Sequence, residues 1–212
     1  MGKKQSIAKL NGMESRVTLV KSKAYGEHTR AARGTYTDIT LAQGMKESSS
    51  DQTQANLMAK VIFDSVNEFA PGFKDGKFWS RLVSVFRQQK KLGQEYSYDF
   101  VGFEVRMDYP LNSHGRFSLS GLGCRVTVSY DFHKDMGYHL SMLRIAANGS
   151  LLTPHPNEIM GCEVKVGVKK GLVQFDFSFL PEGTPVLYAL QCEQLKKGEL
   201  SGLIKGKGVR FF

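Results

Sequence analysis

Two periods run along this chain. Up to about residue 93 the apolar residues of the clearest segments recur every three or four positions, and from residue 96 onward they alternate with polar ones. Ala55, Met58, Ile62, Val66 and Phe69 form a first helical stripe, widened by Leu57, Val61 and Phe63. The run Met45-Lys46-Glu47-Ser48-Ser49-Ser50 breaks the pattern, and Asp51 with Gln54 then makes a capping box, in which each side chain takes an N–H left unpaired by the first turn. A helix is predicted from about 52 to 69, stopped by Pro71-Gly72. Asp75 precedes a second stripe, Phe78, Trp79, Leu82, Val83, Val85 and Phe86, which predicts a helix to about Lys91. Gly93 follows as a left-handed terminus, and Lys90 and Lys91 sit where cations favour the helix dipole.

The second half reads as strands. Cys124, Val126, Val128, Tyr130 and Phe132 share one parity against Arg125, Thr127, Ser129 and Asp131. Cys162, Val164, Val166 and Val168 alternate in the same way, and after Lys169-Lys170-Gly171 so do Val173, Phe175, Phe177 and Phe179. That pair predicts a hairpin with Gly171 supplying the positive φ of its turn. Parity flips at Gly102, between Tyr96, Tyr98, Phe100 and Phe103, Val105, Met107, which predicts a β-bulge. Further strands fit 116–120, 138–146, 184–194 and 200–212. Seven or eight short strands with no strand-helix alternation predict an α+β protein: an antiparallel β-sandwich, Ig-like or jelly-roll-like, with a helical hairpin and a basic N-terminal arm. The expected divisions are an arm over 1–50, the hairpin over 51–93 and the sandwich over 96–212. Trp79, Phe86, Val126, Val128, Phe175 and Phe177 are expected in the core. A final strand should bury Phe211 and leave Phe212 outside or against a neighbour.

Charge sharpens the picture of the first quarter. The 212 residues carry a formal charge of +9, and residues 1–50 alone hold nine basic and four acidic side chains. Short alternations at Val17–Val20 and Thr35–Thr40 predict one or two strands there. Lys21, Lys23, Tyr25, Arg30, Arg33 and Tyr36, with His28 among them, interleave cations with aromatic faces. Such a set suits phosphates and unstacked bases, or another anionic partner; its plainer reading is an edge hairpin whose lysines deter aggregation.

No motif for chemistry stands out. Neither glycine-rich phosphate loop is present, and Gly-x-Ser-x-Gly is missing. Cys124, Cys162 and Cys192 have no Cys-x-x-Cys spacing and read as small buried hydrophobes. His133, Asp135 and His139 flank one turn and would suit a metal only if they faced one another; solvated loop residues are the plainer reading. His155, held between Pro154 and Pro156, is a candidate contact residue. No catalytic residue, metal or cofactor is expected. The N-terminus lacks the apolar stretch of a secretory signal, and no run approaches the ~18 apolar residues of a membrane span.

Ala8-Lys9-Leu10-Asn11-Gly12, then Val20-Lys21-Ser22-Lys23-Ala24-Tyr25-Gly26 with Arg30 and Arg33, precede the helical middle and all-β second half. This layout resembles a loose group of uncharacterised Bacteroidota proteins that open on a Leu-x-Gly strand, a Tyr-x-x-Lys-like second strand and an arginine. No Gly-Gly follows Gly12, as it often does in that group. The resemblance implies no activity and no site residues. The residues themselves lead to the expectation of a non-catalytic binding or assembly module, with protein partners or self-association, such as a structural component of an oligomer, virion or mobile-element particle. Nucleic-acid binding through the basic segment is the alternative. A cytoplasmic or virion-associated location is expected.

Overall fold

The computed structural model describes residues 42–121, 123–147 and 154–212, and the backbone of 17–22 and 26–31. The chain divides into two compact units, 1–48 and 49–212. In the first, β1 (Val17–Ser22) and β2 (Gly26–Ala31) pair antiparallel, with Thr18 opposite Arg30 and Lys21 opposite Glu27. The alternation at Val17–Val20 thus belongs to a hairpin whose second strand lies in the basic segment. The strand expected over Thr35–Thr40 lies outside the described residues.

Helix α1 runs Gln43–Phe69, so it begins about two turns before the expected cap, and Asp51 is an interior residue. The Lys-Glu-Ser run contains no proline to stop a helix, and a capping box is equally compatible with a mid-helix i, i+3 pair. The end is as expected, with Gly72 at φ +70° beyond Pro71. Helix α2 spans Phe78–Lys91 and closes at Gly93, φ +68°. Asp75 accepts the Lys77 N–H at 2.9 Å and holds Arg81 Nη2 at 2.9 Å. Arg81 also donates to the carbonyls of Glu104 (2.7 Å) and Val105 (2.9 Å), so this cation fastens the helix to the chain beyond it. Trp79, expected in the core, is 37% exposed and meets Phe63 edge-on. It lies at the margin of the stripe, while Phe78, Leu82 and Phe86 are wholly buried.

Eight strands follow: β3 (Gly115–Ser120), β4 (Arg125–Phe132), β5 (Tyr138–Ala146), β6 (Glu158–Val164), β7 (Lys170–Asp176), β8 (Val186–Lys196), β9 (Glu199–Leu200) and β10 (Lys207–Phe211). One antiparallel sheet has the order β10-β8-β5-β6, with β9 added to β8; the other is β3-β4-β7. Phe117, Val126, Val128, Phe132, Tyr138, Leu140, Leu190 and Phe175 fill the space between the sheets. Leu143, Ile145, Leu187, Ala189, Val209 and Phe211, on the other face of the larger sheet, pack against Ile62, Val66, Phe78 and Phe86 of the helices. The fold is therefore an α+β antiparallel sandwich with a helical hairpin laid on the larger sheet. Strands β5 and β8, covered on both faces, are buried almost throughout.

The expected 162–168/173–179 hairpin does not form, because β6 pairs with β5 while β7 pairs with β4 in the other sheet. Alternation reports which face is buried, and says nothing about the neighbour. The connection turns at Gly167, φ +92°, not at Gly171. Gly171 instead leaves room for Tyr130, whose Oη would stand 2.5 Å from a Cβ there and would have to shift. Val166, Val168 and Phe179, counted as inward by parity, are beyond the strand ends and exposed. Gly102 marks no bulge. It occupies a tight turn at φ +81°, closed by the Phe103 N–H on the Phe100 carbonyl at 2.9 Å.

Glu104 lies in that segment, half-buried, accepting the Leu111 N–H at 3.0 Å. Burial pushes its carboxyl up to about 7, against the lowering by the Leu111 N–H, Arg210 and Arg81. An acid whose folded pKa is raised stabilises the fold in its neutral form, in full below the ordinary value of 4.5, and loses that contribution as pH rises through about 7. Glu104→Gln should remove this slope. After discounting for the water that still reaches the group, the variant should gain on the wild type by about 1–2 kcal/mol between pH 5 and pH 8 in urea titrations. Parallel curves for the two proteins would refute the assignment.

Candidate functional site

The helices cover only part of the larger sheet's outer face, and register shows what lies on the rest. Across β6, β5, β8 and β10, the row nearest the helices is Ile159, Leu143, Ala189 and Phe211. The next is Gly161, Ser141, Gln191 and Val209, and the third is Glu163, His139, Glu193 and Lys207. Within one face the sheet thus passes from apolar to polar.

The polar rows are internally bonded. Glu193, only 1% exposed, accepts the Gly202 N–H at 2.9 Å and pairs with Lys207 Nζ at 3.1 Å. Gln191 Nε2 approaches the same carboxylate at 3.5 Å, while the buried Gln191 Oε1 has no hydrogen-bond partner. Ser141 Oγ and His139 Nδ1 are 3.1 Å apart. Gly161 gives the ring its place on the edge strand, since a Cβ there would be 3.0 Å from the imidazole. Serine, histidine and glutamate meet here without the order acyl transfer needs. Of the two carboxylates opposite His139, Glu193 is taken up by Lys207 and Gly202 and Glu163 is exposed on the edge strand, and Ser141 sits mid-strand, where neighbouring N–H groups serve the ladder and not an oxyanion.

The edge of this sheet is uneven. The Gly102 and Val105 N–H groups bond to the Phe211 and Val209 carbonyls at 2.9 and 3.0 Å, and so cover β10. Strand β6 has β5 on one side and, among the described residues, no strand on the other. Its sequence, Glu-Ile-Met-Gly-Cys-Glu-Val, contains no lysine, arginine or proline. Ile159 on its outer face is 45% exposed and Met160 on its inner face 39% exposed, so the sandwich core opens at this edge. Its two acids are Glu158, paired with Arg144, and the exposed Glu163, whereas the edge strands of the other sheet also carry cations: Lys170 on β7 pairs with Asp131, and β3 presents Arg116.

Of the residues singled out from sequence, Lys21 and Arg30 lie on the two strands of the β1–β2 hairpin, at register positions of opposite parity. Lys23, Tyr25, Arg33 and Tyr36 lie outside the described residues. His133, Asp135 and His139 turn to different partners: the Asn112 carbonyl (3.1 Å), the Gly167 N–H (2.7 Å) and Ser141. His155 lines a groove of about 820 Å³ between Pro154–Asn157 and the Leu57–Glu68 side of α1. Of the cysteines read as buried, only Cys192 is, and burial pushes its thiol well up. Cys162 is half-buried because β6 is an edge, and Cys124 is exposed because β4 starts after it. The polar rows were missed because their members lie on four strands. Their trace in the sequence is His139, Ser141, Gln191 and Glu193 interrupting runs that bury both parities.

No protein-family model matches the chain, and no curated protein does.

Proposed function

We propose that this chain is a non-catalytic assembly module that joins a second copy of itself through the β6 edge. The observation that carries the reading is an edge strand without lysine, arginine or proline, its Glu158 taken up by Arg144, that exposes Ile159 and Met160. Two copies of β6, antiparallel about a two-fold axis, would continue the ladder from one sheet to the next and cover both side chains. The polar rows beside it support recognition rather than catalysis, since their buried carboxylate, Glu193, is engaged in pairing.

Sedimentation velocity over a micromolar concentration series tests this. A dimer is expected, and Ile159→Lys should convert it to a monomer that keeps its fold and its cooperative melt, because a lysine in that half-exposed edge position keeps its ammonium in water. A wild-type chain that stays monomeric throughout, or a dimer indifferent to the lysine, would refute the proposal.

A further inference from the structure

Three turns meet at the end of the sandwich farthest from the helices' cover: 133–137 between β4 and β5, 165–169 between β6 and β7, and 197–198 between β8 and β9. The Gly167 N–H bonds Asp135 at 2.7 Å, and Gly137, Val164, Val166, Leu195 and Gly198 line one depression of about 330 Å³. The tips are therefore neighbours in space. Their aliphatic side chains point out into water: Val166, Val168 and Leu200 are exposed, as are Leu203 and Ile204 just beyond β9. Exposed apolar residues gathered at one place mark an interaction site.

The cations are gathered at the same place. Lys134, Lys165, Lys169, Lys196, Lys197 and Lys205 are all exposed, and none of them is in an ion pair among the described residues. The acids at this end are fewer, with Asp135 occupied by Gly167 and Glu163 and Glu199 remaining. Lys197 holds φ at +57°, a left-handed conformation uncommon for a residue with a side chain, and so stands at the very tip of the β8–β9 turn.

We propose that this end of the sandwich docks on an anionic lipid bilayer, the aliphatic tips entering the interface and the lysines meeting the headgroups. The chemistry separates this partner from the other polyanion. Over 133–137, 165–170 and 195–207 there is no arginine and no phenylalanine, tyrosine or tryptophan, the residues that stack on bases and grip phosphates in pairs. Short aliphatic side chains between flexible lysines match an interface that is apolar beneath and negative above. No described helix is long and apolar enough to cross a membrane, and the contact proposed is with the bilayer surface. It is independent of the β6 pairing and uses other residues.

Vesicle flotation of the full chain tests it, with phosphatidylcholine vesicles and with vesicles that also carry phosphatidylserine. Binding is expected only to the second and should weaken as salt rises, because exposed charges are screened over about 10 Å at 0.1 M. Each lysine near such a surface contributes roughly fivefold in partitioning, so Lys165→Glu with Lys196→Glu should lower binding on the order of 25-fold or more. Val166→Ser with Leu200→Ser should weaken it independently at unchanged charge. Lys90→Glu with Lys91→Glu changes charge equally near the opposite end of β8 and should leave binding as it was. Circular dichroism of each variant confirms the fold. Absence of binding to the anionic vesicles, equal loss from the Lys90 and Lys91 pair, or capture by oligonucleotides in place of vesicles would overturn the proposal.

Discussion

Deleting residues 209–212 is expected to abolish cooperative folding of the 49–212 unit. Val209 and Phe211 are wholly buried, and β10 is held on both sides. It pairs with β8 along Lys207–Phe211, and on its other side the Phe211 N–H bonds the Phe103 carbonyl at 2.9 Å while its own carbonyl takes the Gly102 N–H. The Phe211 ring lies 6.0 Å from Phe100 and 6.2 Å from Phe103, inside the layer where helices meet sheet. A buried phenylalanine truncated to alanine costs about 3–5 kcal/mol, and loss of a buried valine adds about 1.5 kcal/mol or more. The sum is comparable with the ~5–15 kcal/mol that holds a whole domain together. Thermal melts followed by circular dichroism should lose their transition. Phe212, half-buried beneath Arg210 at 4.6 Å, is worth much less, and Phe212→Ala should keep a sharp transition within ~1 kcal/mol of wild type. Equal damage from Phe212→Ala and Phe211→Ala would contradict this placement.

That tail also shows what could be read from the chain and what could not. Phe211 shares strand parity with Val209, and parity is a local property, so its burial was legible. So were the end of α1 at Pro71-Gly72, the span of α2 and the existence of most of the strands, each signalled by residues within one turn or one strand. The start of α1 was not, because Asp51 and Gln54 bear the same local signature inside a helix as at its cap. Pairing was not legible either. The residues after Cys162 and after Gly171 alternate like the arms of a hairpin, yet the chain crosses between sheets at Gly167. The candidate site lay still further from view. Gly161, Ser141 and Gln191 become neighbours only once β6, β5 and β8 are placed in register, and the bareness of β6 is defined by what fails to pair with it.

The second large effect belongs to a charge that the fold has taken out of water. Arg144 heads the wholly buried side chains by size, and its guanidinium is matched by Glu158 on β6, the Gly123 carbonyl at 3.3 Å and the Phe177 ring at 5.0 Å. Burial alone would raise the Glu158 carboxyl, but the Ser178 N–H and Arg144 together outweigh it and hold the carboxyl below the usual range. The pair is asymmetric: the arginine side chain is 1% exposed and the glutamate 30%. Removing the glutamate strands a buried cation, whereas removing the arginine leaves an anion that water can reach. Glu158→Ala should therefore cost about 3–5 kcal/mol in urea unfolding, and Arg144→Met, which fills the same space without charge, should cost much less. Combining the two should recover most of the loss, because no stranded charge remains. The sign with pH follows from the lowered carboxyl. The stabilisation is present above the ordinary glutamate pKa and lost as pH falls through the folded value, so wild type and Glu158→Ala should converge in acid. A cost below ~1 kcal/mol, the size of an exposed ion pair, or a double variant no better than Glu158→Ala, would show that Arg144 does not depend on this partner.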